Sequence, residues 1–595
     1  MGCLTLQNII VKNFLHQFKE KFELEEENED MLFEQFINYC VLNNHVIDSE
    51  RSFEDMDTGT AKGIDGIAIL VNNKLIINEE DIKEIVESKN KFSVDFIFVQ
   101  SKTSANFNDA KVSYFFRNIE KFINEEECSI KELEKYWEIK NIIYENPRLF
   151  KKENPNCIMY YATSSSTTEI SADIKETIDE GKNRLNNTGY LSDIIEFYPL
   201  GVKEIQKLYR KIDADLEASF LFPKNVTFPY NGEKVTSAYF GLVDIKEYIN
   251  LLFDKETSGI KNVFEDNIRD YLGVESNDVN TSMQNQLLHE ESQLFGLLNN
   301  GVTIVADEIR PVGEKFNLIN YQIVNGCQTS NVIFDNYNNI TERNISLPIR
   351  IIATTDENTK NEIITATNSQ TGLKPEQLDS LSGFHKMLEE FYNSKNNLVE
   401  TSATITRDVN IYYERRSNQY RNAPYPQTKI MSIPKQIKAV TSMFIDNPHG
   451  VSGHYGTVAK KMKGEIFKQK DFKEPYYVSA LLLYRVETFF RKHKDFKQFS
   501  RAKWHILMAI KYMLNEKEAI PKHFNSKEIL ALSKKIEEKI SAESAANSLI
   551  IQAINHIDQV IKLNNLVLTD RKVFERKETT DKLKVYLKDL NIVNA

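Results

Sequence analysis

Gly63-Ile64-Asp65-Gly66-Ile67-Ala68-Ile69-Leu70 and Val94-Asp95-Phe96-Ile97-Phe98-Val99-Gln100-Ser101-Lys102 are the two stretches on which the fold turns. Residues 94–99 are nearly all apolar, β-branched or aromatic, the pattern of a strand buried on both faces. Gln100 and Lys102 stand two apart, so on an extended chain they share a face. A buried strand that ends in Gln-Ser-Lys must find partners for those polar groups. The 35-residue step from Asp65 to Gln100 leaves room for a strand, a turn and a return. Together the residues read Asp…Gln-x-Lys: an acid for Mg²⁺, a second oxygen ligand and a lysine beside them, as metal-dependent phosphodiester hydrolysis requires. Asp65 is the expected main carboxylate. Gln100 would offer its side-chain carbonyl and Ser101 its backbone carbonyl. Lys102 would orient or deprotonate the attacking water and balance charge on the pentacovalent phosphate. The competing reading is a Gly-x-Asp-Gly turn and a plain strand end, since Asp-Gly is common in turns.

Upstream, Met31-Leu32-Phe33-Glu34-Gln35-Phe36-Ile37-Asn38-Tyr39-Cys40-Val41-Leu42 has helical periodicity, with Phe33, Phe36, Ile37 and Val41 on one stripe. Asp65, Gln100 and Lys102 resemble the PD-(D/E)xK restriction-endonuclease-like fold in its Gln-x-Lys form, as in Mrr-type enzymes. The resemblance implies a helix ahead of the acid strand whose glutamate joins the metal site. Glu34 is then the fourth catalytic residue, and Mg²⁺ or Mn²⁺ the cofactor. A solvated surface glutamate is the other reading of Glu34. Gln100 stands where that fold more often has Glu or Asp. It removes one negative charge, so metal affinity leans on Glu34 or on substrate phosphate.

At 595 residues the chain exceeds one core, and three or so domains are expected. No apolar run approaches the ~18 residues that cross a bilayer, and Met1-Gly2-Cys3-Leu4-Thr5-Leu6 lacks the basic and apolar regions of a signal peptide. Cys3, Cys40, Cys128, Cys157 and Cys327 are scattered, with no Cys-x-x-Cys, which fits a reducing cytoplasm and argues against zinc ribbons and disulfide frameworks. Net charge is −11, yet residues 401–595 hold 35 Lys and Arg against 20 Asp and Glu, while residues 1–400 hold 40 against 66. The basic C-terminal part would attract phosphates while the acidic part holds metal, or the two would simply dock.

Alternating patterns continue after Lys102: helix to about residue 145, a strand at 157–163, a helix near 170–187, a strand at 194–199 and a closing helix from Val202 to Asp213. This predicts an α/β domain over residues 1–215. A second block follows. Leu298-Asn299-Asn300-Gly301-Val302-Thr303-Ile304 reads as a polar turn and a strand, and Ile323-Val324-Asn325-Gly326-Cys327-Gln328-Thr329-Ser330 as a strand, a glycine turn and a helix start. Such a junction is a natural anion seat. Ile349–Thr354 is a further strand, leading to a helix that ends in Asn368-Ser369-Gln370. Asn325, Gln328, Asn368 and Gln370 would lock loops together or read a ligand's hydrogen-bonding edge. A nucleophilic Cys327 needs a base, and nothing ties His289, the nearest histidine in sequence, to it.

These motifs, with Ala366-Thr367-Asn368-Ser369-Gln370 and Tyr412-Tyr413-Glu414-Arg415-Arg416, resemble the AIPR family, named for abortive infection phage resistance, over roughly residues 240–550. The resemblance implies a bacterial antiphage protein with a nuclease domain ahead of the AIPR region. From Thr406 to Arg421 arginines interleave with tyrosines. Arg407, Arg415, Arg416, Arg421 and Tyr412 read as a nucleic-acid or phosphate contact, or as an arginine network around Glu414. Beyond about residue 430 the apolar spacing is helical.

The expectation is a multidomain α/β protein: a restriction-endonuclease-like α/β domain at 1–215, a central mixed α+β AIPR domain at 216–428, and an α-helical, net basic C-terminal domain at 429–595. It is expected to be a cytoplasmic, Mg²⁺-dependent antiphage nuclease acting on DNA rather than RNA, with no membrane association. A phage-derived trigger or regulatory partner, or homo-oligomerisation, would restrain it through the AIPR region. The alternative is a non-catalytic sensor with an inert nuclease-like domain.

Overall fold

The computed structural model describes residues 8–25, 28–46, 52–59, 61, 63–125, 127–151, 154–166, 168, 170–213, 216–230, 232–253, 261, 263–264, 278–368, 383–401, 408–415, 419–420, 423–451, 458, 461–462, 464–515, 523–570 and 572–594. Contacts divide the chain into two compact units, residues 1–13 with 28–377 and residues 14–27 with 378–595.

Helices α1 (Ile9–Lys21) and α2 (Glu29–His45) come first. Asn28 caps α2, its side chain accepting the Asp30 and Met31 amides. Strands β1 (Gly66–Val71) and β2 (Lys74–Ile76) form a hairpin. Its turn residues Asn72 and Asn73 both have positive φ, 50° and 63°, which matches the twist of the flanking strands. Helix α3 (Glu79–Glu87) follows, and β3 (Val94–Lys102) returns antiparallel to β1 with Ile67 opposite Phe98. Helices α4 (Asp109–Asn124) and α5 (Glu134–Tyr144) lead to β4 (Asn156–Thr163), and α6 (Ala172–Asn186) leads to β5 (Ile195–Leu200). β3, β4 and β5 are parallel, and the sheet order is β2-β1-β3-β4-β5.

The run 94–99 is buried on both faces. Phe96 and Phe98 meet Phe122 of α4 at ring-centroid distances of 6.5 and 5.7 Å. Ile97 and Val99 point to the opposite side, are at most 1 % exposed, and α2 packs on that strand. Each such side chain contributes about 2 kcal/mol of burial. Helix α7 (Val202–Asp213) closes this part against α2.

A second sheet in the same unit holds β6 (Glu217–Leu221), β7 (Lys224–Thr227), β8 (Ser237–Asp244), β9 (Val302–Val312), β10 (Lys315–Asn325) and β11 (Ser346–Ala353), in the order β6-β10-β9-β11-β8-β7. Helices α8 (Ile245–Leu252), α9 (Asp278–Leu288) and α10 (Phe295–Leu298) precede β9. Helix α11 (Cys327–Ile340) joins β10 to β11, which runs parallel to β9, and α12 (Glu357–Asn368) follows. Two Asn-Gly pairs mark its tight corners. Gly301 has φ +77°, and a Cβ there would sit 2.4 Å from the Pro348 carbonyl oxygen. Gly326 has φ +97° and opens α11, with Val302 as close as 2.7 Å to a built Cβ.

The second unit is mostly helical: α13 (Gly383–Thr401), α14 (Ile433–Phe444), α15 (Glu474–Lys492), α16 (Lys503–Leu514), α17 (Lys527–Ile540), α18 (Glu543–Leu563) and α19 (Lys577–Asn594). A short parallel pair, β12 (Tyr412–Glu414) and β13 (Ile430–Ser432), lies beside them. The sequence reading placed 378–428 with the central domain, whereas contacts group 378 onward with the helical unit. Phe384, Leu388, Tyr392 and Tyr413 share one buried cluster with Tyr476 and Tyr477, and the Tyr392 hydroxyl donates to Gln436 Oε1 at 2.6 Å. Residues 28–215 and the second sheet share a single unit. The architecture is therefore mixed α/β toward the N-terminus and helical toward the C-terminus. Among the described residues no helix is long and apolar enough to cross a membrane, and Cys40, Cys128, Cys157 and Cys327 are free thiols.

Gly301→Ala should cost about 2 kcal/mol or more, from a left-handed backbone and the clash with Pro348. Gly313→Ala, at φ +62° with open space around it, should cost only about 1 kcal/mol. Melting temperatures of the two variants against wild type check this order.

Candidate active site

Asp65 sits in the turn just before β1, and its backbone is pinned from three directions. Its amide donates to the Val99 carbonyl at 2.8 Å, and its carbonyl accepts from Asn38 Nδ2 at 3.1 Å. The Thr58 hydroxyl bonds the Ile64 carbonyl. Gly63 has φ +81° and lies so close to Asn118 and Tyr114 that a Cβ would come within 2.3 Å of Asn118 Nδ2.

The Asp65 carboxylate is 8 % exposed. Its Oδ2 accepts from the Ser101 amide at 2.7 Å, the Ser101 hydroxyl at 3.1 Å, Lys102 Nζ at 3.4 Å, and Gln100 Nε2. Gln100 and Ser101 are buried, and Lys102 is about 30 % exposed at the rim. Asp65, Gln100 and Lys102 thus converge, although 35 residues separate the acid from the strand end. Ser101 takes a part that the sequence did not suggest. It gives its N–H and hydroxyl to Asp65, because Asp65 lies across the strand end and collects donors from both faces. Asn38 is a further contributor, one helical turn beyond Glu34 on α2. The i, i+4 spacing from Glu34 was the signal for it.

Glu34 is half-buried on α2. Its carboxyl is raised to about 7, first by burial, then by the charge of Asp65, against the pull of Lys102, with Asp57 and Asp30 adding to the rise. Burial raises Asp65 too, opposed by Lys102 and Ser101. Both carboxyls are raised, so the pair takes up a proton more readily than two separate carboxylates would, and the four donors on Asp65 oppose that rise only at Asp65.

Among the described residues no three His, Cys, Asp or Glu side chains stand close enough to hold a metal by themselves. The donor set here is two carboxylates and an amide. It suits a hard divalent ion, which keeps waters and substrate oxygens as its other ligands. The charge that Asp65, Asp57 and Asp30 set against Glu34 is what such a cation would relieve. Gln100 presents nitrogen to Asp65, so its amide must turn over about its terminal torsion to offer Oε1.

The other sequence-selected residues lie elsewhere. Asn325 Nδ2 donates to the Thr367 carbonyl at 2.5 Å, a loop lock between β10 and α12. Gln328 is partly exposed in the first turn of α11. Cys327 is buried, and Asn331 Nδ2 reaches its Sγ at 3.3 Å. Arg415 is spent on structure: its Nε donates to Glu389 Oε2 at 3.0 Å, Gln419 bonds the other Glu389 oxygen, and Glu389 replaces the expected Glu414. Tyr412 stacks on Tyr425 with centroids 3.7 Å apart. Arg407, Arg416, Arg421 and Gln370, and the side chain of Asn368, lie outside the described residues.

A family model described as AIPR protein matches residues 264–562, just over half of the chain. The chain belongs to the AIPR family. Membership suggests an antiphage defence role. The match begins inside the second sheet, after β8, and runs through the helical unit to the end of α18. The AIPR motifs Asn300-Gly301 and Asn325-Gly326 are therefore the two corners where only glycine fits. No curated protein and no solved structure matches the chain significantly.

A carboxyl near 4.5 unfolded and about 7 folded binds its proton more tightly in the fold. Its unfavourable contribution is therefore absent below pH 4.5 and grows as pH rises through 7. In EDTA, the melting temperature should fall across that window in wild type and fall less in Glu34→Gln. Added Mg²⁺ or Mn²⁺ should reduce the wild-type slope. Parallel profiles for the two proteins would contradict the assignment.

Proposed function

We propose that this AIPR protein is a metal-dependent antiphage nuclease whose site is Asp65, Gln100, Lys102 and Glu34 on a PD-(D/E)xK-type domain. The observation that carries it is the convergence of Lys102 and Gln100 on one buried carboxylate, beside a second carboxyl whose charge that carboxylate opposes.

Asp65 and Glu34 would hold Mg²⁺ or Mn²⁺ together with the Gln100 carbonyl. The ion, when bound, supplies charge neutralisation on a phosphodiester and a water of lowered pKa. The chain's own groups do the rest. Lys102 reaches the rim with its ammonium 3.4 Å from Asp65, where it can lead a water toward phosphorus and offset the added negative charge. Ser101 keeps Asp65 fixed through two bonds. Asn38 holds the Asp65 main chain, so the carboxylate cannot swing away when charge builds up. DNA is the proposed substrate rather than RNA. A nuclease that acts in defence must be held off in a healthy cell, so the AIPR region is the proposed restraint, with a phage-derived trigger or self-association as the release.

A second reading has its own observation. Gln100 replaces an acid and turns its amide nitrogen to Asp65, an arrangement that is complete without a metal. An inert domain serving a nucleic-acid sensor would look the same.

Purified full-length protein should cut DNA with Mg²⁺ or Mn²⁺, alone or with lysate of infected cells, and EDTA should stop it. Lys102→Ala should lose at least ~100-fold in rate. Glu34→Gln should need about ten-fold more metal. Binding to nucleic acid without cleavage under all these conditions would favour the sensor.

A further inference from the structure

Arg350 stands mid-strand in β11, opposite Phe240 of β8 on one side and Thr303 of β9 on the other. Thr303 in turn stands opposite Asn325 of β10. Directly paired residues share a sheet face, so Phe240, Arg350 and Thr303 form one row across three strands, and a bulge between Ile323 and Asn325 brings Asn325 opposite Thr303 at its end. The other face carries Ile304, Ile349 and Ile351 into the core. Two residues along, the row is flanked by Ile352 and Val305.

Arg350 is a cation set among apolar neighbours without an acid. Its Nε is occluded and makes no hydrogen bond, and no carboxylate pairs with it among the described residues. Arginine so placed normally takes a carboxylate partner. Its guanidinium carbon lies 5.2 Å from the centre of the Phe240 ring. A guanidinium held against a ring keeps its edge of N–H donors for an oxyanion, which it can grip through two parallel bonds. Thr303 stands on the neighbouring strand, whose backbone runs about 5 Å away, and is itself buried, so its hydroxyl lies at the floor of the row. Asn325 is fixed at the end of the row by its bond to Thr367. Beyond Phe240 the surface is largely apolar: Val226, paired with Phe240, is 66 % exposed, Leu242 is 41 % exposed, the Phe228 ring lies 5.7 Å from that of Phe240, and the exposed Lys224 pairs with Leu242.

We propose that this row is a receptor for the phosphate of a small nucleotide. Arg350 takes the phosphate, Thr303 adds a hydroxyl, and the base lies on the shelf formed by Phe240, Val226 and Leu242. The site lies on the second sheet and does not depend on the nuclease reading. The rival explanation is an arginine whose stem merely covers apolar surface while its head stays in water.

Isothermal titration of the full-length protein in EDTA, with AMP, ATP and inorganic phosphate as probes, separates the two. AMP or ATP should bind wild type and Lys102→Ala alike, and more tightly than inorganic phosphate. Arg350→Ala should weaken nucleotide binding at least ~10-fold. Arg350→Lys keeps the charge but loses the fork, and should bind more weakly than wild type. Phe240→Leu should weaken nucleotides more than phosphate. Circular dichroism checks that each variant is folded, and Arg350→Lys serves if Arg350→Ala is not. No saturable binding by wild type, unchanged nucleotide affinity in Arg350→Lys and Arg350→Ala, or equal affinity for phosphate and AMP would overturn the proposal.

Discussion

A carboxylate taken out of water must be surrounded by donors or give up its charge, and the first sheet is arranged around that constraint at Asp65. Burial alone would neutralise it. Four donors from three consecutive residues of β3 hold it, and Asn38 and Val99 hold its backbone. The glycine at 63 exists in that turn because its left-handed backbone and its nearness to Asn118 leave no room for a side chain. Glu34 then inherits the repulsion that Asp65 creates. One buried charge thus sets the turn before β1 and the end of β3, and adds to the rise that burial imposes on Glu34 of α2.

The second sheet presents the opposite arrangement. There the charge is Arg350, and among the described residues no acid answers it. Its row is built of single residues from four different strands. A buried anion fully supplied with donors and a partly buried cation without an acid place the two proposed activities, phosphodiester cleavage and nucleotide recognition, on separate sheets.

The helical unit uses its charges for packing. Lys511 is buried and bonded to Asp446, which also accepts from the Tyr512 hydroxyl at 2.7 Å. Arg485, 2 % exposed, reaches Asp408 and the last carbonyls of α17. The excess of Lys and Arg in residues 401–595 is thus partly internal structure. Arg415 shows the same, since Glu389 takes it. An arginine among tyrosines reads alike in sequence whether its fork meets phosphate or a distant glutamate.

Local signals in the chain were enough for α2, β1, β3, β4, α6, β5 and α7, whereas α1, β2 and α3 went unread. Period-two and period-3.6 patterns are properties of neighbours, so 94–102, 157–163 and 202–213 were legible from residue types. So were the glycine corners at 301 and 326, because a left-handed backbone leaves few choices. Pairing was not legible, because hydrogen bonds between strands join residues that no periodicity relates. The sequence could bring Gln100 and Lys102 onto one face, but only the fold laid Asp65 across both faces and recruited Ser101 and Asn38. Likewise, Arg350 is an unremarked residue of one strand until β8, β9 and β10 align beside it. Residue type decided which elements form. Tertiary structure decided which charges are answered, because burial and partnership are set by what the rest of the chain brings near.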